Sequence, residues 1–178
     1  MPHVPTLSDG VVALDAFTDA DLDAHVAGED DELARRFGWY PSRSTHDTAR
    51  AAFARWAGDW ANDGETRAFA VRAAGVLVGG CQLRFRAKRI GELSYWTLAG
   101  HRGRGYAPRA VRLLCRYAFD ELRLERLEAY VEPDNAASRA VAETLGFHEE
   151  GLARRRELTQ HGERRDVVLY GLLPGELS

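Results

Sequence analysis

Only two cysteines, Cys81 and Cys115, occur in the 178 residues, far apart and each among apolar neighbours. Their scarcity excludes a disulfide framework and a cysteine zinc knuckle, and points to buried thiols in a reducing compartment. Long apolar runs are missing as well. No stretch could span a bilayer, and the opening residues, MPHVPTLSDG, hold no basic segment leading into an apolar one, so a cytoplasmic protein with no membrane partner is expected. Neither sign of charge dominates, since 24 basic side chains face 27 acidic ones for a formal charge of -3. That balance speaks against a nucleic-acid partner and makes any cationic site local. The histidines show neither His-x-x-x-His nor Cys-His spacing, so no metal site is expected. Tandem repeats, low-complexity tracts and Pro, Gly or Ser-rich linkers are also absent, and one domain over residues 1–178 is the expectation.

What is present is a clear order of elements. Val11 to Phe17 alternates as a short strand, and Thr18 offers an N-cap to a helix with aspartates in its first turn. A second helix is predicted over Asp30 to Phe37. From Thr45 onward Ala49, Ala52, Phe53, Trp56 and Trp60 share one helical face, which ends at Asn62 to Gly64. Three strands follow in TRAFAVRA, VLVGGCQLRFR and IGELSYWTL, with turns at Ala74–Gly75 and at Ala87–Arg89, and they form an antiparallel meander. Ala107, Ala110, Val111, Leu114 and Ala118 then mark a long helix to about Leu122. LERLEAYVE is a strand, DNAASRAVAETLGF a short helix capped by Asn135 and closed by Gly146, and the last two strands meet at His161 and Gly162. This order predicts an α/β (α+β) fold: a mixed, mostly antiparallel sheet with helices on both faces.

The segment HRGRGYAPRA, His101 to Ala110, is the chemically loaded part. A helix N-terminus exposes unpaired N–H groups and about half a positive charge, so a loop bare of side chains at Gly103 and Gly105 lets a phosphate approach them. Arg102 and Arg104 add charge, while Arg109, Arg112 and Arg116 share a further face of the helix. No Gly-Lys-Ser/Thr follows, so this is not a Walker loop, and it lacks the register of the dinucleotide fingerprint. By itself the loop is equally compatible with a solvated basic helix start.

Taken with its surroundings, the loop resembles a known signature. LSYWTL, HRGRGYA, the run from YAFDELRLERLEAYVEPDNAASRAVAETLGFHEEG and RRDVVLYGLL together resemble the GCN5-related N-acetyltransferase (GNAT) superfamily, in its ribosomal-protein N-terminal acetyltransferase (RimJ/RimL-like) branch. Arg102, Gly105 and Ala107 fill the pyrophosphate pattern of Gln or Arg, two residues, Gly, one residue, Gly or Ala. Asn135, Ser138, Gly146 and Phe147 match a second block. The resemblance is close from about Tyr95 to Leu173. In place of the branch's frequent Thr-Glu after GYA stand Pro108 and Arg109, a change that strengthens phosphate binding or alters the acceptor side.

The resemblance implies a pair of parallel strands that splay apart, ending near Leu98 and Val131, with acetyl-coenzyme A as cosubstrate in the gap. It implies coenzyme contacts from the main chain of Trp96, Thr97 and Leu98, from the segment Arg102, Gly103, Arg104, Gly105, Tyr106 and Ala107, and from Asn135, which also serves as a cap. For transfer to an amine, a proton must leave the nitrogen. Glu92, on the strand face shared with Ser94 and Trp96, is the candidate base, unless it is a surface glutamate; Ser138 is the candidate acid for the departing thiolate, unless it only supports the cap. The expected partner is an amine acceptor, a protein N-terminus or a small amine such as an aminoglycoside or polyamine. A non-catalytic acyl-coenzyme A binding module is the other reading, and a homodimer stays open. Cys81 and Cys115 lack a neighbour that would make either an acetyl carrier. Trp39, in a loop between helices, is a candidate wall of the acceptor pocket. The acidic run Asp19, Asp21, Asp23, Glu29, Asp30, Asp31 and Glu32 would suit a cationic acceptor or form a solvated helix pair.

Overall fold

The chain forms eight strands in the computed structural model, which describes residues 4–178. They are β1 (Leu7–Ser8), β2 (Val12–Asp15), β3 (Thr66–Ala73), β4 (Val76–Ala87), β5 (Ile90–Thr97), β6 (Arg126–Val131), β7 (His148–Leu158) and β8 (Arg164–Leu172). The helices are α1 (Leu22–Gly28), α2 (Asp31–Arg36), α3 (His46–Ala61), α4 (Tyr106–Arg116) and α5 (Ala136–Thr144). All eight strands form one sheet in the order β1-β2-β3-β4-β5-β6-β8-β7. Every neighbouring pair is antiparallel except β5 and β6, which run parallel. The mixed, mostly antiparallel sheet expected from the element order is therefore present. No helix among the described residues is long and apolar enough to cross a membrane.

Local chemistry accounts for the joints. Ala74 and Gly75 both have positive φ, 48° and 77°, as a two-residue turn needs if its twist is to match the strands it joins. At the start of α3, Thr48 N donates to Thr45 Oγ1 at 3.2 Å and Thr45 N donates to Thr48 Oγ1 at 2.8 Å, so two orphan donors are satisfied reciprocally. Buried on one face of the sheet, Ala110, Val111 and Leu114 of α4, with Ala118 just beyond it, pack with Phe69, Val71, Leu83, Leu127 and Tyr170. Beyond Arg116 the helix continues as a π-helical turn over Tyr117–Glu121, close to its expected end. Cys81 and Cys115 lie in this core, and burial pushes both thiols well up. Formation of the thiolate that a covalent acetyl carrier requires is thus disfavoured.

The opposite face is covered by α1 to α3. Phe17 stacks on Phe53 with ring centroids 4.7 Å apart and on Trp96 at 6.1 Å, while His25 meets Phe53 edge-on at 5.3 Å. Burial lowers the His25 pKa, which favours the neutral ring among these aromatics.

The first helix departs from expectation. Thr18 caps a 3-10 turn, Asp19–Asp21, before α1 begins. Asp21 Oδ2 accepts from Thr18 N at 2.8 Å, and the same carboxylate receives Arg72 at 2.6 and 2.9 Å. A buried Asp21 paired across to β3 holds the turn tight, whereas the sequence presented it as one solvated aspartate among several.

Candidate functional site

Strands β5 and β6 pair over three residues only, with Ile90 opposite Arg126, Gly91 opposite Leu127 and Glu92 opposite Glu128. Beyond that point each is held by its outer neighbour. β5 stays on β4 as far as Gly79 opposite Thr97, and β6 stays on β8 as far as Val131 opposite Val168. The facing edges part, and the main-chain groups between them have no strand to bond. Such an edge accepts an extended chain as an added strand would. A bulge in β4 between Phe85 and Ala87, opposite Ile90 and Gly91 in the rungs that remain paired, adds local twist. Trp96 and Leu98 are anchored in the aromatic face with Leu33, Ala70 and Leu77, and Leu98 N donates to Val78 O at 2.9 Å. Gly79 and Gly80 permit this packing, because a Cβ there would overlap the Trp96 carbonyl oxygen and indole respectively. The main chain of Trp96, Thr97 and Leu98 is thereby fixed at the open edge.

The loop at the end of this arm has the geometry of an anion cradle. Gly103 and Gly105 take φ of 72° and 76°, left-handed values that suit glycine, and Gly105 is the N-cap of α4. In front of both the space is open, since a Cβ on either would meet nothing within 4 Å. Tyr106, Ala107 and Pro108 form the first turn of α4, where N–H groups have no partner within the helix and a proline forfeits no bond.

The arginines of the segment divide. Arg102 donates to both oxygens of Asp30, at 2.6 and 2.9 Å, so its guanidinium ties the loop to the cap of α2. Arg104 has no ion-pair partner among the described residues and is the cation left at the loop. Arg109 donates to Asp9 Oδ2 at 2.8 Å, and Arg112 donates to the carbonyl of Ser178 at 2.9 Å. The Arg109 substitution thus has a structural account: it holds the β1–β2 turn on α4. Burial alone would raise the Asp9 pKa, but the Val12 N–H, Arg109 and the Val11 N–H together lower it to about 2. The folded value is depressed, so the stability Asp9 adds is complete above its ordinary 3.8 and is lost as the pH falls through about 2. Both partners are partly exposed, so Arg109→Ala is expected to cost under about 1 kcal/mol in urea unfolding. Coenzyme affinity should stay within about twofold; a larger loss would place Arg109 at the phosphates.

Across the gap, Asn135 Oδ1 accepts from Ser138 N at 3.1 Å and caps α5. Ser138 Oγ in turn accepts from the Tyr95 hydroxyl at 3.0 Å. Sequence reasoning did not single out Tyr95. Its only local signal was alternation, which places it on the face opposite Glu92, Ser94 and Trp96. Glu92 sits at the last paired rung with Arg86 Nε donating to its Oε2 at 2.5 Å, and its Oε1 accepts no hydrogen bond from the described residues. Ser94 Oγ receives Gln82 Nε2 at 2.9 Å.

The acidic run is largely engaged within the molecule. Asp23 meets His46 at 2.8 Å, Asp31 meets Arg43 at 2.7 Å, and Asp30 and Glu32 meet Arg102. Glu29, buried, accepts from Ser44 N at 2.8 Å, Ser44 Oγ at 2.7 Å and Trp39 Nε1 at 3.3 Å. Trp39 stacks on Phe37 with centroids 5.2 Å apart, and His161 of the β7–β8 turn bonds its carbonyl at 3.2 Å. Helix α2 spans from the β5 arm to the β6 arm: Asp30 at its cap holds Arg102, while Arg36 at its end reaches Glu132 at 2.9 Å and Asp134 at 2.7 Å.

Comparison with known proteins agrees with this geometry. Residues 12–148 match the family model described as acetyltransferase (GNAT) domain. A Bacillus subtilis (strain 168) protein provisionally named a ribosomal N-acetyltransferase, YdaF, is 41% identical over 91 residues, which cover 51% of this chain. That stretch is 49% of YdaF, so the match spans about half of that relative's length. The uncharacterized N-acetyltransferase p20 of Bacillus licheniformis is 34% identical over 124 residues, covering 67% of this chain and 69% of p20. Among solved structures, Mycobacterium smegmatis RimJ in complex with CoA-disulfide superposes with a TM-score of 0.81 at 26% identity, over 97% of this chain and 88% of RimJ.

Proposed function

The chain belongs to the GNAT acetyltransferase family, and on that footing we propose that it transfers the acetyl group of acetyl-coenzyme A to the α-amine of a protein N-terminus, by direct attack within a ternary complex. One observation carries the reading: the β5 and β6 edges part after Glu92, and the β5 arm of that gap leads into a glycine-rich helix start. The pyrophosphate would rest on the amides from Arg102 to Ala107, with Arg104 adding charge. The pantetheine arm would bond the main chain of Trp96, Thr97 and Leu98 along the open edge, and Asn135 would reach it from α5.

In the transfer, the amine nitrogen forms a bond to the thioester carbonyl carbon and the carbon–sulfur bond breaks. Glu92 takes the proton released by nitrogen, directly or through a water, and Ser138 protonates the departing thiolate. An α-amine has a pKa near ~7.8, so roughly a tenth of it is neutral at pH 7, far more than of an alkylamine with a pKa near ~10. The acceptor class is supported by the YdaF and RimJ names.

The test is release of free thiol from acetyl-coenzyme A in the presence of peptides with free N-termini, spermidine or an aminoglycoside, the acetylated atom being located by mass spectrometry. Peptide-dependent release with α-amine acetylation is expected. Release only with a small amine would move the acceptor to that class, and tight coenzyme binding without acceptor-dependent release would make the chain an acyl-coenzyme A binding module.

A further inference from the structure

We propose that Tyr95 is a positioning residue for acetyl transfer: its phenol fixes the Ser138 hydroxyl so that the serine proton points at the thioester sulfur. This rests on the acetyltransferase reading above. Tyr95 lies three residues beyond the last rung shared by β5 and β6, and Ser138 lies in the first turn of the helix that follows β6. Their 3.0 Å hydrogen bond therefore ties the two arms of the gap together.

The hydrogen-bond inventory sets the direction. A serine hydroxyl has one proton and two lone pairs and turns freely about its Cβ–Oγ bond. The phenol, the stronger acid of the two, is the better donor. Burial raises the Tyr95 pKa further, so the phenol keeps its proton throughout the neutral range and its role as donor does not change with pH. With one Oγ lone pair occupied by Tyr95, the serine proton is turned away from the phenol and is left for another acceptor. Ser138 Oγ donates to no group among the described residues, and the sulfur would lie in the gap whose two arms Tyr95 and Ser138 join. No proton leaves Tyr95: Ser138 gives its own to the thiolate and recovers one from solvent after the thiol departs. The cost of an unoriented serine is entropic and falls on the step in which sulfur acquires charge.

The experiment compares Tyr95→Phe, Ser138→Ala and the double variant with the parent, using acetyl-coenzyme A and whichever acceptor supports turnover. Tyr95→Phe is expected to lower kcat about tenfold, the scale of one lost orienting hydrogen bond, with KM for acetyl-coenzyme A within about twofold. Ser138→Ala should lose roughly a hundredfold, near the lower bound for a positioned acid. The double variant should match Ser138→Ala alone, because without the serine the phenol has nothing to orient. Calorimetric affinity for coenzyme A and the thermal midpoint should be those of the parent in both single variants. Full kcat in Tyr95→Phe, strictly multiplicative losses in the double variant, or a loss confined to KM would each overturn the proposal. A parent protein with no acceptor-dependent thiol release would instead overturn the acetyltransferase reading beneath it, so the two failures are distinguishable.

Discussion

Gly105→Asp is expected to reduce affinity for acetyl-coenzyme A by about a thousandfold or more while leaving a folded protein. The left-handed φ of 76° at this position is one that Asp tolerates better than most residues, so the backbone cost is about 1 kcal/mol. A Cβ meets nothing within 4 Å, so no packing is lost. The effect is electrostatic, since the new carboxylate would lie against the site proposed for the pyrophosphate. Two like unit charges ~4 Å apart repel by about 4 kcal/mol at an effective dielectric of ~20, and each ~1.4 kcal/mol is a tenfold loss. Gly105→Asn separates charge from shape, because it keeps the polar side chain and the left-handed tolerance without the charge, and it should retain most of the affinity. Calorimetry at fixed ionic strength measures both. Equal losses in the two variants would mean steric blockage, and parental binding by Gly105→Asp would remove the phosphate cradle.

Glu92→Gln is expected to lower kcat by about a thousandfold near pH 6.5, within the range for a lost general base. Its pH dependence is the sharper test. A base matters most while the acceptor is an ammonium, and below its pKa near ~7.8 the neutral fraction of an α-amine rises tenfold per pH unit. The deficit should therefore shrink as the pH climbs and be smallest above about pH 9. Glutamine keeps the shape and can still meet Arg86 through its carbonyl, so coenzyme affinity and unfolding midpoint should change little. A deficit constant from pH 6 to 9 would remove Glu92 as the base.

Much of the framework was legible in the residues because local forces decide it. TRAFAVRA became β3 over the residues expected, and the Ala74–Gly75 turn took two positive φ values. Asn135 capped its helix as expected, because the cap bond spans three residues. Where the first helix departed, at Asp21, the cause was Arg72, 51 residues away. The same held at the site. The segment from His101 to Ala110 announced a basic, glycine-rich helix start, but its three arginines proved to have different surroundings: Arg102 faces Asp30, Arg104 has no ion-pair partner among the described residues and Arg109 faces Asp9.

By itself the sequence determined the periodicities, the caps and turns, the glycine-rich start of α4 and, through resemblance, the family. Each of these depends on backbone preferences and on neighbours within a few residues, which fold the same way wherever the segment is carried. Only the tertiary structure decided that the parallel strands part after Glu92, that Tyr95 reaches Ser138, that most of the acidic run finds hydrogen-bond partners within the molecule and that Arg102 and Arg109 serve as ties. Those pairings join residues 43, 72 and 100 positions apart through long or rotatable side chains. Their partners are chosen by proximity after the sheet has formed, and no local pattern encodes that proximity.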